Sequence, residues 1–313
     1  MLSRTAENLF WLARYLERAE ATARLITMGQ RMAILPGAHH KDEWRSVIRV
    51  SSSAHLFEPK APIRESDVVE HLVLSPDNPN SIRSCLERAR ANAKSVRTAL
   101  TQDMWEALNE GWRKLESFDV AEARAQLPTI LDWVKARAMA FRGATDNGHL
   151  RDEGYDFLRI GMKLERANSV LRLLDVKYYV LLPETDVVGG NRDHYQWTSV
   201  LYALSGLRAY HHVYSGTYSP WQITDFLMLN KRFPRSVLFC LEQLSFRLGN
   251  LAQAHGQRRP CHDSIDAMVA QLSAKTSGDI FREGLHETVQ RTHADCDRLG
   301  NEIAQAYHFG WVA

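Results

Sequence analysis

Apolar residues recur at helical spacing along nearly the whole of the 313-residue chain, and no run of alternating β-branched residues interrupts them. The spacing predicts a first helix that starts at the Ser3 and Thr5 caps and ends before Pro36-Gly37. Helices follow at about 43–57, 65–74, 81–116 (bent or broken near 101–103) and 119–142, and Asp146-Asn147-Gly148 reads as a loop. A long helix is then expected from about 152 to 182, stopped by Pro183, with others at about 193–213, 220–229, 235–254, 262–275 and 278–308. Ser219-Pro220-Trp221-Gln222 combines a capping box with proline at the first helical position, and Pro79 and Pro234 stand just ahead of the caps Ser81 and Ser236. The pattern predicts an all-α helical bundle, or two interlocked bundles.

The pattern also repeats. Leu16-Glu17-Arg18-Ala19 recurs as Leu164-Glu165-Arg166-Ala167, and an arginine follows each glutamate by seven residues, at Arg24 and Arg172. Trp44-Arg45-Ser46-Val47-Ile48 matches Trp197-Thr198-Ser199-Val200-Leu201, and Ser52 falls on Ser205. Glu70 to Glu87 aligns without gaps on Asp225 to Glu242, pairing Pro79 with Pro234, Ser81 with Ser236 and Cys85-Leu86-Glu87 with Cys240-Leu241-Glu242. The offset grows from 148 through 153 to 155, as small insertions in the second copy would cause, for example around Gly189-Gly190-Asn191. Anchors in one order predict two homologous halves, 1–146 and 147–313, packed face to face about a pseudo-twofold axis as one unit.

On a helical wheel, Leu9, Leu12, Tyr15, Leu16, Ala19, Ala23 and Ile26 fill one stripe of the first helix. Glu17 lies roughly opposite, in the company of Arg14, Arg24, Phe10 and Trp11. A solvated face has little reason to carry two large aromatics beside its charges, so both faces are expected to be covered, with the charges in an interior polar layer. Neighbours in a helix point in different directions, so Glu17 cannot meet Arg18. A buried carboxylate without a partner is strongly unfavourable, so each glutamate needs an arginine from elsewhere. The repeat offers Arg166 or Arg172 to Glu17, and Arg18 or Arg24 to Glu165. The bland role for such a layer is a reciprocal ion-pair network that fixes how the halves dock. The functional alternative is a pocket in which arginines hold the carboxylate or phosphate of a ligand by bidentate bonds. A plain exposed face is the third possibility.

Charge and composition narrow the rest. Lys+Arg of 39 against Asp+Glu of 37 argues against a nucleic-acid surface, and the basic clusters Lys231-Arg232, Arg235 and Arg258-Arg259 read as solvated loop charges. No apolar run approaches the ~18 residues that span a bilayer, and no charged leader precedes an apolar stretch, so a cytoplasmic protein is expected. Four cysteines make no disulfide framework; Cys85 and Cys240 read as core residues, and Cys261 and Cys296 lack a nucleophile signature despite His262 and His293 nearby. Glu283-x-x-His286, with His293 and Asp297 expected on the same helix, has the spacing of di-iron bundles. The second such motif and the two further glutamates are missing, so it reads as a packed or solvated face, and no metal or cofactor is expected. The helix starts at Ser81 and Ser236, with Arg83 and Arg235 beside them, are candidates for an anion contact through free N–H groups, set against ordinary capping.

The opening Met1-Leu2-Ser3-Arg4, followed by Glu7-Asn8-Leu9-Phe10-Trp11-Leu12-Ala13-Arg14-Tyr15-Leu16-Glu17-Arg18-Ala19-Glu20, resembles the alpha-E domain family, bacterial helical proteins named for their Glu-Arg motif. The likeness continues through Asn78-Pro79-Asn80-Ser81-Ile82-Arg83, Arg151 to Phe157, Leu173 to Tyr179 and Asp225 to Val237, essentially the whole chain. Met162 departs from it, since a basic residue is expected there. The resemblance implies company rather than chemistry. Such proteins are encoded beside, or fused to, circularly permuted ATP-grasp proteins and transglutaminase-like proteins, and ATP-grasp enzymes activate carboxylates as acyl phosphates for amide formation. The expectation is a non-catalytic interaction or scaffold subunit of a peptide-forming or peptide-modifying system. The alternative is an enzyme or ligand-binding protein that uses the Glu/Arg layer on a peptide or carboxylate. The resemblance carries over no catalytic residues.

Overall fold

The computed structural model describes residues 1–34, 40–51, 53–58, 63–110, 112–180, 191–215 and 218–310, and among them all regular structure is helical. The helices are α1 Ser3–Ala33, α2 His40–Val50, α3 Glu65–Val68, α4 Ile82–Ser95, α5 Gln102–Asn109, α6 Trp112–Ser117, α7 Val120–Ala125 and α8 Leu127–Gly148. They continue as α9 Glu153–Val180, α10 Asn191–Ala203, α11 Leu207–Tyr214, α12 Pro220–Thr224, α13 Val237–His255, α14 Pro260–Ser273, α15 Ser277–Glu283 and α16 Leu285–Ala306. Helices α3 and α12 each run on into a wider π turn, Val69–Leu74 and Asp225–Leu229.

Helices α1 and α9 form the centre. Helix α1 lies along α9 and α4 and also touches α8, α10 and α2, while α9 carries α13 and α16. Gly161 lets the two central backbones touch: a Cβ there would sit 2.3 Å from the carbonyl oxygen of Phe10. Because α1 is surrounded, it buries Leu9, Leu12 and Leu16 on one face and Glu17, Glu20 and Arg24 off that face. The buried apolar side chains of 1–146 and of 147–313 form one continuous cluster. No described helix is long and apolar enough to cross a membrane.

Several boundaries differ from expectation, each for a local reason. Helix α1 has Leu2 as its N-cap and no side-chain cap, so Ser3 and Thr5 do not cap it. The helix expected at 43–57 stops at Val50, and a short 3₁₀ turn, Ala54–Leu56, follows. The stretch 81–116 breaks earlier than expected, since α4 ends at Ser95 and a 3₁₀ turn, Arg97–Ala99, leads to Thr101, which caps α5 through the N–H of Met104; it breaks again between Asn109 and Trp112. The stretch 119–142 restarts at Leu127, because Pro128 has no N–H to continue the ladder. Asp146-Asn147-Gly148 is the last turn of α8 rather than a loop, and the chain turns one residue later, at His149. The stretch 193–213 divides at Ser205, and 278–308 divides at Gly284, whose φ is +93°. The caps Ser81, Ser219 and Ser236 hold, each accepting from an N–H three residues on. Pro36-Gly37, Ser52, Pro183 and Gly189-Gly190 lie outside the described residues.

Candidate functional site

The charged residues of α1 and α9 do form an interior layer, built around two centres. At the first, Arg18 of α1 forks onto Glu165 of α9, with Nε to Oε1 at 2.7 Å and Nη2 to Oε2 at 2.9 Å. Arg14, one turn earlier, donates to Oε2 at 2.9 Å and lays its guanidinium over the Trp11 ring at 4.8 Å. Arg172, seven residues after Glu165, approaches to 3.7 Å. Arg18 Nη1 donates to the Asn80 side-chain oxygen at 2.7 Å, which ties the loop before α4 to the layer.

At the second centre the same fork runs in the other direction. Arg166 of α9 donates to Glu17 of α1, Nε to Oε1 at 2.6 Å and Nη2 to Oε2 at 2.9 Å. Glu20 adds a second carboxylate one turn on. Arg24 reaches back to Glu20 from the next turn with Nε at 2.9 Å and Nη2 at 2.6 Å. Arg235, from the loop before α13, donates to Glu20 at 2.7 Å and lies 3.6 Å from Glu17. Arg142 of α8 bridges both acids, 3.1 Å from Glu17 and closer still to Glu20.

Glu17, Glu20 and Glu165 are at most 3% exposed. Burial pushes each carboxyl up, but the guanidiniums outweigh it: Arg166 first for Glu17, Arg235 for Glu20 and Arg18 for Glu165 hold all three below the usual carboxylate range. The cations are less evenly served. Arg18 and Arg166 are raised despite burial by their forked glutamates. Burial lowers Arg172, and it brings Arg235 down to about 10 against the pull of Glu20. Lys163, 3% exposed, has no hydrogen bond or ion pair among the described residues. Its ammonium lies 4.6 Å from the Phe239 ring centroid, and burial brings it down to about 8.

The profile of Alpha-E, described as a predicted alpha-helical domain with a conserved ER motif, matches residues 1–308. The chain belongs to the Alpha-E family. Uncharacterised proteins of Mycobacterium bovis and Mycobacterium tuberculosis are similar to it, at 24% identity over 322 residues covering 93% of this chain and 35% of theirs. The chain therefore spans about a third of the length of these curated relatives. No solved structure matches it.

The Glu-Arg dipeptide of this Alpha-E chain occurs three times, and the third copy is informative. Leu86-Glu87-Arg88-Ala89 on α4 repeats the tetrapeptide, yet Glu87 and Arg88 are exposed. What buries a Glu-Arg pair is therefore the face of α1 or α9 on which it falls, not the tetrapeptide itself.

Of the expected pairings, Glu17 with Arg166 and Glu165 with Arg18 occur. Arg24 serves Glu20 instead of Glu165, and Arg172 approaches its own helix's Glu165 instead of Glu17. Ser81 and Ser236 are buried and donate their hydroxyls to the Ser75 and Asn230 carbonyls while capping α4 and α13. Arg235 points into the layer rather than into solvent, and Arg83 pairs with no acid among the described residues. Arg258 reads as expected, on Asp263 and Asp266 at the surface.

Other Alpha-E residues offer little chemistry. All four thiols are buried and outside any disulfide, and burial pushes each of them up, Cys85 to about 12 and Cys261 to about 11. Gly284 separates Glu283 from His286, so the expected single helix is two. Glu283 pairs with Lys275 and Arg291, and His286 lies 2.6 Å from Asp175. No group of metal-ligating side chains forms among the described residues.

Proposed function

We propose that this chain is a non-catalytic interaction or scaffold subunit of an ATP-grasp-dependent peptide-forming or peptide-modifying system. Its partners would be a circularly permuted ATP-grasp protein and a transglutaminase-like protein. The supporting observation is the closure of the layer: Glu17, Glu20 and Glu165 are each buried and held by guanidiniums, so none of the three is placed to act as a general base. The space beside Arg18 and Arg172 is about 20 Å3, the size of a single water. The thiols are protonated at neutral pH, which removes the usual nucleophile. In this reading the reciprocal forks fix how residues 1–146 and 147–313 dock, as a pseudo-twofold duplication would require. The much longer relatives fit a unit that works alongside other domains.

The test is co-expression with a circularly permuted ATP-grasp protein from the same organism. A stable complex and altered ligase turnover are expected, with no activity from this chain alone. Failure both to co-purify and to alter turnover would remove the proposal.

A further inference from the structure

A cavity of about 390 Å3 lies beside the layer and shares one residue with it, Arg24. Its polar lining is Arg24, Thr27, Lys135, Tyr202, Ser205 and Arg208. The volume is that of a small-molecule site, roughly 300–1,000 Å3. Among the described residues no acidic side chain lines it, although three cations do. Arg208 pairs with no acid among the described residues, and Lys135 has only Asp132, itself largely solvated. Arg31 stacks on the Tyr202 ring at 3.9 Å and leaves its buried Nε without a partner. Arg24 shares its counter-ion Glu20 with Arg142 and Arg235, so the inner wall carries surplus positive charge. Tyr202, Ser205 and Arg208 are exposed, which opens the cavity to solvent.

The link between α10 and α11 is shaped at this point by an unusual residue. Gly206 N–H bonds the Leu201 carbonyl at 2.8 Å and Ser205 N–H bonds Tyr202 at 2.9 Å, a Schellman turn with Ser205 in the left-handed position at φ +54°. Glycine is the usual occupant of that position. Serine there places a hydroxyl that accepts from Arg24 Nη1 at 3.1 Å, and its own proton has no acceptor among the described residues. Local backbone strain is retained where surrounding structure enforces it, often at ligand sites.

We infer that this cavity binds a small anion bearing carboxylate or phosphate groups. Arg24 supplies charge from the buried inner end, Lys135 and Arg208 supply it from the more accessible side, and Ser205 donates its hydroxyl. Arg24, already bonded to Glu20 and to the Ala203 carbonyl, acts through its charge, while the guanidinium of Arg208 can take either acid type in a bidentate grip. The site is independent of any partner protein, and an occupant on Arg24 would reach the second charge centre through Glu20.

Calorimetric titration with inorganic phosphate, pyrophosphate and the dipeptide Glu-Glu tests this, with Gly-Gly as the control. Saturable binding of at least one acidic probe and none of Gly-Gly is expected, and the probe that binds separates phosphate from carboxylate ligands. Arg208→Ala and Lys135→Met should each weaken it by about tenfold, the loss of one charge-assisted bond. Neither side chain pairs with a carboxylate of the interior layer, and unchanged thermal unfolding would verify that the variants fold. Absence of saturable binding for all three acids, or undiminished binding in the Lys135→Met/Arg208→Ala double variant, would overturn the inference.

Discussion

Around Glu165 one carboxylate meets three guanidiniums, whereas around Glu17 two carboxylates share four, although the same Leu-Glu-Arg-Ala phrase starts both centres. At the offset of 148, Glu20 corresponds to Asn168, Arg14 to Met162 and Tyr15 to Lys163. Each difference has a visible consequence. Glu20 gathers Arg24, Arg142 and Arg235, while Asn168 carries no charge and donates to Asp297 at 3.1 Å. Arg14 serves Glu165 across the helix interface, but Met162 can do nothing for Glu17, and Arg142 of α8 fills that place. A repeated motif thus keeps its forked pairs while the remaining charge is balanced by whichever element packs nearby.

The largest expected effect tests that asymmetry. Glu165→Gln leaves Arg14, Arg18 and Arg172 facing a neutral amide, and removing one partner of a buried pair costs about 3–5 kcal/mol. Glu17→Gln takes the forked carboxylate from Arg166 but leaves Glu20 to hold Arg142 and Arg235, so a smaller loss of about 2–3 kcal/mol is expected. Urea unfolding of the two variants measures both, and equal losses would show that Glu20 does not compensate.

Acid should expose the same carboxylates together. A depressed folded pKa contributes stability that is present above the unfolded value and lost as pH falls through the folded one. With Glu17, Glu20 and Glu165 all depressed from 4.5, stability should fall progressively as pH drops below that value. The fall should be shallower in Glu165→Gln, read from urea midpoints across an acid series. An unchanged slope would mean that Glu165 is not among the groups that drive acid unfolding.

How much of this could be read in advance depended on what kind of signal each residue leaves. That Glu17 and Glu165 need arginines from elsewhere followed from their position off the apolar stripe beside Phe10 and Trp11, and the forks with Arg166 and Arg18 bear it out. Glu20 leaves a readable trace in the sequence: it lies one turn from Glu17 on the same side and four residues before Arg24, the spacing at which charges meet in a helix. Arg142 left none. It stands in an ordinary amphipathic stretch, and periodicity does not say which long side chain turns inward. The helical class was legible for the opposite reason, since apolar spacing is a local property; the breaks at Gln126, Ser205 and Gly284 depended on single residues. Gly161 belongs with the hidden ones, because only the approach of α1 shows why it lacks a side chain. Gly161→Ala would drive a Cβ into the Phe10 carbonyl and should cost about 1–3 kcal/mol by forcing α1 and α9 apart. Both centres span that interface, so both should loosen, which hydrogen exchange along α1 and α9 would detect; protection lost at one centre alone would show that the two are not held by the same contact.

Removing the charge of Lys163 should have the smallest effect, and the opposite sign. Lys163 adds a buried cation near Arg166, on the side where guanidiniums already outnumber carboxylates, and burial with that neighbour brings its ammonium from 10.5 down to about 8. Between those values the unfolded chain holds a proton that the folded chain has released, so stability rises as pH rises through this window. Below about 8 the folded protein carries the full cost of the buried charge. Lys163→Met keeps the aliphatic volume beside Phe239 and deletes the charge. It should stabilise the protein by about 1–2 kcal/mol at neutral pH, allowing for relaxation around the ammonium. It should also flatten the alkaline rise, which the original chain should keep. A variant that loses stability at neutral pH would mean that the ammonium holds the layer together rather than straining it, and the second centre would then depend on five cations instead of four.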